Sequence, residues 1–260
     1  MVILTDLSEV LIQGITGLEQ LVAARYGKTP AERVELMGRF ATRRLWIKDD
    51  FLNLMRGRIT EDAYWHKFFA YNKWPFSIDE IEALFSENLK ITIPGTLDLY
   101  RRIVRHPRSV NSGRGEDDYV EGAPQFILVS DHIAERLNEL KLYHPDVFKL
   151  MSDEYWSCDM GCVKNDEDFF PNVLHDIDIS SSNVLVIDDN RDNLQSAARI
   201  DIHGILFHNA TQLETVLREA YGFEFAPTLS SSPTSPSSPT PPSSPTGPAT
   251  ITEFGPALTQ

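Results

Sequence analysis

Val184-Leu185-Val186-Ile187-Asp188-Asp189-Asn190-Arg191-Asp192-Asn193 is the stretch on which the fold turns. Four apolar residues run straight into two adjacent carboxylates, and a polar turn then leads into a helical pattern from Leu194 to Arg199. A short, wholly apolar run bounded by turn residues suits a central strand of a parallel sheet covered by helices on both faces. Ligands of such sheets bind beyond the carboxyl ends of the strands, which places Asp188 and Asp189 where chemistry is expected. Two neighbouring carboxylates repel each other unless something positive joins them, and a hard cation with oxygen ligands is the simplest candidate. The plainer alternative is that one caps the following helix and the other is solvated.

The same arrangement recurs along the chain. Met1 to Leu4 is an apolar run that ends at Thr5-Asp6, and Phe126-Ile127-Leu128-Val129 ends at Ser130-Asp131. Glu154 to Cys158 is a weaker strand, followed by a glycine-containing loop to Lys164, and Gly204 to Phe207 is the last strand. Helical spacing fills the intervals, over Leu97 to Val104, Ile133 to Leu140, Glu167 to Leu174 and Leu213 to Ala220. This alternation predicts an α/β fold, a Rossmann-like parallel sheet with right-handed crossovers.

Between the first strand and Pro94-Gly95-Thr96 the period changes. Residues 15–91 carry helical spacing throughout, with helix starts at Thr60-Glu61-Asp62-Ala63 and Ser77-Ile78-Asp79-Glu80. Such a length exceeds an ordinary crossover and predicts an inserted all-α subdomain, leaving residues 1–14 and 92–224 for the sheet domain. Trp46, Tyr64, Trp65, Phe68, Phe69, Trp74 and Phe76 are expected to form the core of that small bundle. Arg39, Arg43 and Arg44 either aim cations at an anionic substrate or form a solvated helix face. Residues 106–125, rich in Gly, Ser, Arg and Asp and without periodicity, predict a flexible surface insertion. Residues 225–260 are dominated by Ser, Thr and Pro, cannot bury a core, and predict a disordered tail.

The formal net charge of −14 excludes a nucleic-acid backbone as an expected partner, since no Lys/Arg cluster offsets it. Cys158 and Cys162 are too few for a disulfide framework, and their spacing without a second ligand pair does not make a zinc site. Asp6 interrupts the apolar start and no basic region precedes it, so neither a signal peptide nor a membrane span is expected. A cytoplasmic protein with reduced thiols follows.

If the strands are parallel, Asp6, Ser130, Lys164 and the Asp188-Asp189 pair all lie along one sheet edge. Each has a task in phosphoryl transfer. Asp6 is a carboxylate able to attack phosphorus; Ser130, at a helix start, offers a hydroxyl and backbone N–H groups to phosphate oxygens. Lys164 supplies fixed positive charge, and a divalent cation between Asp6 and Asp189 would cancel the remaining repulsion.

These residues also carry a family likeness. Asp6-Leu7-Ser8-Glu9-Val10-Leu11, Leu128-Val129-Ser130-Asp131, Ser157-Cys158-Asp159-Met160-Gly161-Cys162-Val163-Lys164-Asn165-Asp166 and Val186-Ile187-Asp188-Asp189-Asn190-Arg191-Asp192-Asn193 stand in the order of four motifs. The chain thereby resembles the haloacid-dehalogenase-like hydrolase superfamily over Met1 to about Tyr221, outside residues 106–125. The resemblance implies an α-helical cap for the insert and a magnesium-dependent phosphatase acting on a small phosphorylated metabolite through an aspartyl-phosphate. It implies Asp6 as nucleophile, and Ser130, Asp131 and Lys164 as the phosphate-binding set. Mg2+ would be held by Asp6, Asp189 and the Ser8 backbone carbonyl, with Asp188 and Asn193 supporting it from outside the direct ligands.

One position departs from that pattern. Where the resembling phosphatases carry an Asp that protonates the leaving oxygen and later activates water, this chain has Ser8, and such a loss typically costs about 10²–10⁴-fold. Glu9 either replaces that acid or crowds the phosphate. The alternatives that remain are a 2-haloacid dehalogenase, a relative of fungal enzymes acting on prenyl diphosphates, and a weakly active or non-catalytic binding protein. A phospho-accepting receiver domain is excluded, because its carboxylate pair stands on the first strand.

Overall fold

The computed structural model describes residues 1–70, 73–105 and 123–226. Strand β1 (Val2–Thr5) is followed by five helices: α1 (Ile15–Tyr26), α2 (Pro30–Trp46), α3 (Lys48–Met55), α4 (Glu61–Phe69) and α5 (Ile78–Asn88). Helix α6 (Thr96–Val104) then leads to β2 (Gln125–Ser130), a 3₁₀ turn, α7 (Leu137–Tyr143), α8 (Pro145–Phe148) and β3 (Met151–Trp156). The chain continues through α9 (Ser157–Met160), α10 (Phe169–Asp176), β4 (Val184–Asp188), α11 (Arg191–Ala198), β5 (His203–Leu206) and α12 (Ala210–Tyr221). The strands form one all-parallel sheet in the order β3-β2-β1-β4-β5.

The unbroken apolar runs are explained by two-faced burial. Ile3, Leu128, Leu185 and Ile187 pack into one hydrophobic cluster, whereas Val2, Leu4, Ile127, Val129, Val184 and Val186 pack into another on the opposite face. Because side chains alternate along a strand, a central strand must be apolar at every position to satisfy both. Thr5 stands opposite Leu128 and Ile187, so Asp6 emerges just beyond the last paired residue of β1, level with Asp188.

Helix starts follow the cap chemistry. The Thr60 side chain accepts from Ala63 N–H, and Ser77 and Glu80 form a reciprocal capping box. Thr29 with Glu32 forms another at the start of α2, with Pro30 in the first turn. Tyr64, Trp65, Phe68 and Phe76 are buried in the insert as expected, but Trp46 is 77% exposed at the end of α2. Among the described residues, no helix is long and apolar enough to cross a membrane.

Several boundaries differ from the sequence reading. Strand β3 stops at Trp156 because Ser157 leaves the ladder: its hydroxyl donates to the Met55 carbonyl at 2.6 Å and accepts from His132 N–H at 3.0 Å. Strand β2 begins at Gln125, inside the expected insertion, of which residues 106–122 lie outside the described residues. Residues 225 and 226 belong with the sheet domain. The Phe225 ring is covered by Arg102 and Arg218, and Ala226 pairs with Arg102 through both backbone and guanidinium. Residues 227–260, the rest of the expected tail, lie outside the described residues.

Candidate active site

The carboxyl edge of the sheet gathers the predicted residues at one point. Asp6, Asp188 and Asp189 each present a carboxylate oxygen within 4.8 Å of the others. The loop after α9 carries Lys164 into this group, where its ammonium contacts Asp6 Oδ2 at 2.7 Å and Asp188 Oδ2 at 2.6 Å. Lys164 is only 1% exposed, so the pair contacts are made out of water, where their strength is greatest and a missing partner would cost most.

Each member is held by a neighbour. Asp188 Oδ1 accepts from Asn190 N–H, and the Asn193 amide donates to both oxygens of Asp188 at 3.1 and 3.2 Å. The Asp131 carboxylate accepts from the Lys164 backbone N–H at 2.9 Å, which ties the lysine loop to the end of β2. Ser130 ends β2 fully buried, and its hydroxyl is without a hydrogen-bond partner among the described residues. A buried donor left unpaired is costly unless a ligand meets it.

Burial, then the charges of Asp188 and Asp189, pushes the Asp6 carboxyl up to about 8 against the opposing pull of Lys164. The protein packed around Asp189, then the Asp188 charge, lifts its carboxyl to about 6 although the residue is exposed. Burial works against the Lys164 ammonium, but Asp188 and Asp6 overcome it and hold the group firmly protonated. Three carboxylates face one ammonium, an excess of negative charge that a hard dication would cancel. The donor set, carboxylate oxygens converging from two strand ends, fits Mg2+, and the Ser8 carbonyl takes no hydrogen bond among the described residues.

Glu9 sits at a positive φ of 59°, and its Oε1 accepts from Gly14 N–H at 3.1 Å and Thr16 N–H at 3.2 Å at the start of α1. It therefore supports the exit into the helical insert. Arg39, Arg43 and Arg44 are likewise engaged elsewhere: Arg39 with the Lys73 carbonyl, Arg43 with the Phe68 and Lys67 carbonyls, and Arg44 with Glu19.

The sequence reading did not find the long-range contacts that tie the helices of residues 15–91 to the rest of the chain. Arg56 makes a two-pronged pair with Asp166 at 2.9 and 2.6 Å, and Asp166 also accepts from Val163 N–H beside Lys164. Arg136 pairs with buried Glu61 at 2.6 and 2.7 Å, and Glu61 accepts from the Trp65 indole. Gly57, at φ +66°, lets the chain approach so closely that an added Cβ would lie 2.7 Å from the Cys158 carbonyl. These contacts join residues up to 110 positions apart, and charge alone does not reveal partners at such distance. Cys158 and Cys162 remain free thiols.

Comparison with known proteins agrees with the topology. No family model matches the chain. A crystal structure of a HAD family enzyme from Bacteroides thetaiotaomicron is similar with a TM-score of 0.56 at 17% identity, covering 84% of this chain and 98% of that one. The same enzyme has been solved in complex with magnesium and inorganic phosphate (TM-score 0.51, 17% identity, 80% and 93% coverage). L-2-haloacid dehalogenase from Xanthobacter autotrophicus, solved with chloropropionic acid covalently bound, matches with a TM-score of 0.54 at 11% identity, over 87% and 85% of the two chains. In sequence, 84 residues (32% of this chain) are 32% identical to the drimenol cyclase of Aspergillus calidoustus, and this match spans only 16% of that protein. The chain has the haloacid-dehalogenase-like fold.

Proposed function

We propose that this chain is a magnesium-dependent phosphohydrolase that acts on a small phosphorylated metabolite through an aspartyl-phosphate formed on Asp6. The observation that carries the reading is the Lys164 ammonium shared between Asp6 and Asp188 at the end of the sheet. In this mechanism the Asp6 carboxylate attacks phosphorus, and Lys164 offsets charge as the nucleophile and the phosphoryl oxygens approach. The unpaired Ser130 hydroxyl donates to a phosphoryl oxygen. Asp131 holds the lysine loop in place, and Asn193 keeps Asp188 turned toward the lysine. Mg2+, held by Asp6, Asp189 and the Ser8 carbonyl, would keep Asp6 ionised and withdraw charge from the phosphoryl oxygens. The Bacteroides enzyme's complex with magnesium and phosphate supports this assignment.

The helical insert 15–91 acts as a cap on the sheet domain, residues 1–14 and 92–224, and excludes water during the reaction. A soluble cytoplasmic setting and a small anionic partner, with neither nucleic acid nor membrane, accord with the net charge of −14. A dehalogenase is the second reading, favoured by Ser8 and by the likeness to the Xanthobacter enzyme. The three clustered carboxylates weigh against it, because attack of a carboxylate on carbon needs no metal. Phosphate release from a broad panel of phosphorylated metabolites, with magnesium and without, tests the reading. Release that persists unchanged in Asp6→Asn would refute it, and metal-independent chloride release from a 2-haloacid would put the dehalogenase in its place.

A further inference from the structure

Helix α2 (Pro30–Trp46) has two apolar faces, and the fold buries only one of them. Leu36 and Phe40, four residues apart, are buried with Arg43 on the inner side of a helix that packs against α1 and α3. On the opposite side, where a surface helix normally carries its charges, stand Ala31, Val34, Gly38, Ala41 and Leu45. Steps of three, four, three and four residues keep these five in one line along the helix, and such a line lets two helices pack along their length. Val34 is 71% exposed and Leu45 69%, and Trp46 beside Leu45 is 77% exposed. They are three of the six large hydrophobic side chains that stand exposed among the described residues, all on one helix. Apolar surface gathered in this way marks an interaction face.

The face is complementary to itself. A Cβ added to Gly38 would meet nothing within 4 Å, so the backbone lies bare at the middle of the line, with small Ala41 one turn further on. Two such helices can approach closely there. If they run antiparallel and cross at Gly38, Leu45 of each lies over the small Ala31 of the other. The charges fit the same arrangement. Glu35 and Arg39 share one flank of the line, and neither has an ionic partner among the described residues; Arg39 donates to the Lys73 carbonyl. In an antiparallel pair that flank faces its own copy, so Glu35 meets the partner's Arg39, and the two-fold axis repeats the contact. A parallel pair would turn this flank toward the one that carries Met37 and Arg44, and would lose both ion pairs.

We infer that the outer face of α2 is covered by a second copy of this chain, in a two-fold dimer built on an antiparallel α2 pair that crosses at Gly38, with Trp46 at its rim. Complementarity of size and of charge between the two halves of one helix selects a copy of the chain over an unrelated partner. The inference is independent of the chemistry proposed for the sheet edge.

Sedimentation equilibrium of the full chain from about 1 to 100 µM should show a monomer passing into a dimer, as suits an interface at the small end of the specific range. Gly38→Glu is the variant that isolates the contact. Its side chain has open space in the monomer, and glutamate is the better helix former, so the thermal midpoint of the dilute protein should be no lower than the parent's. In the dimer it sets two carboxylates against each other on the axis, and the dissociation constant should rise by about tenfold or more. Glu35→Arg faces the partner's Arg39 with a like charge and should weaken the dimer by about tenfold. Adding Arg39→Glu to that variant should restore the parent's affinity. A chain that stays monomeric at the top of the range, whatever else lies over α2, overturns the inference, and so does a dimer that Gly38→Glu leaves intact. A dimer that Gly38→Glu dissolves but the charge exchange does not restore overturns the antiparallel pairing.

Discussion

The floor of this site and its wall are built on opposite physical terms. The floor is a knot of charge: three carboxylates and an ammonium at strand ends, with the contacts of Lys164 made out of water. The wall is a set of aromatic and aliphatic side chains on helices from a separate stretch of chain, fastened by ion pairs at its margin. A charge cluster is costly to bury and persists where chemistry or a ligand compensates it, whereas an apolar wall is stabilised by burial in its own right. Substitutions in the floor should therefore remove activity, and substitutions at the margin of the wall should remove stability.

The largest effect is expected at the floor. Asp6→Asn should lower phosphate release by about 10⁴-fold or more while the thermal midpoint stays close to that of the parent, because Lys164 keeps its Asp188 partner and the cluster's excess of negative charge falls by one. A variant that loses activity only by unfolding would erase the distinction. At the margin, Arg136→Leu leaves the Glu61 carboxylate buried without its partner and should cost about 3–5 kcal/mol in urea unfolding. The double variant Arg136→Leu with Glu61→Gln should recover most of that loss. A cost that the second substitution does not relieve would mean that packing, not the ion pair, fastens the wall.

Much of the floor was legible before any coordinates, because period and chemistry coincide there. An apolar run such as Val184 to Ile187 suits a strand buried on both faces, and a polar residue directly after such a strand stands at the sheet edge. Asp6, Ser130 and Asp188 follow from that rule alone. The wall was legible only as helices. Thr60 and Ser77 announce their helices because a cap acts within one turn, but the partners Arg56 and Asp166 are separated by 110 residues and no local rule joins them. Trp46 shows the same limit: an aromatic at helical spacing was expected inside, yet its place at the last turn of α2 leaves it 77% exposed. The role of Glu9 at the start of α1 was illegible for a different reason, since nothing in the sequence announces that one of its oxygens takes two backbone N–H groups.

Smaller effects sharpen the boundary between floor and wall. His132 lies where they meet, and burial lowers it from an ordinary 6.5 to about 4. In that interval the unfolded chain takes up a proton that the folded chain refuses, so stability present above pH 6.5 is lost as the pH falls toward 4. The loss is on the order of 2–3 kcal/mol, read as the difference in pH dependence between the parent and His132→Asn. Parallel curves for the two proteins would show that the imidazole titrates freely. The smallest change is at the wall's own scaffold: Thr60→Ala removes the cap of α4 and should cost about 1 kcal/mol with turnover nearly unchanged.

The most direct measurement is the mass of the protein itself. The full chain, mixed with magnesium and an acyl phosphate and quenched in acid, should gain the mass of one phosphoryl group, labile to hydroxylamine and located by peptide mapping on Asp6. Asp6→Asn should gain none. An adduct that persists in that variant or maps to another residue, or its absence from a parent protein that still releases phosphate, would contradict Asp6 as the nucleophile.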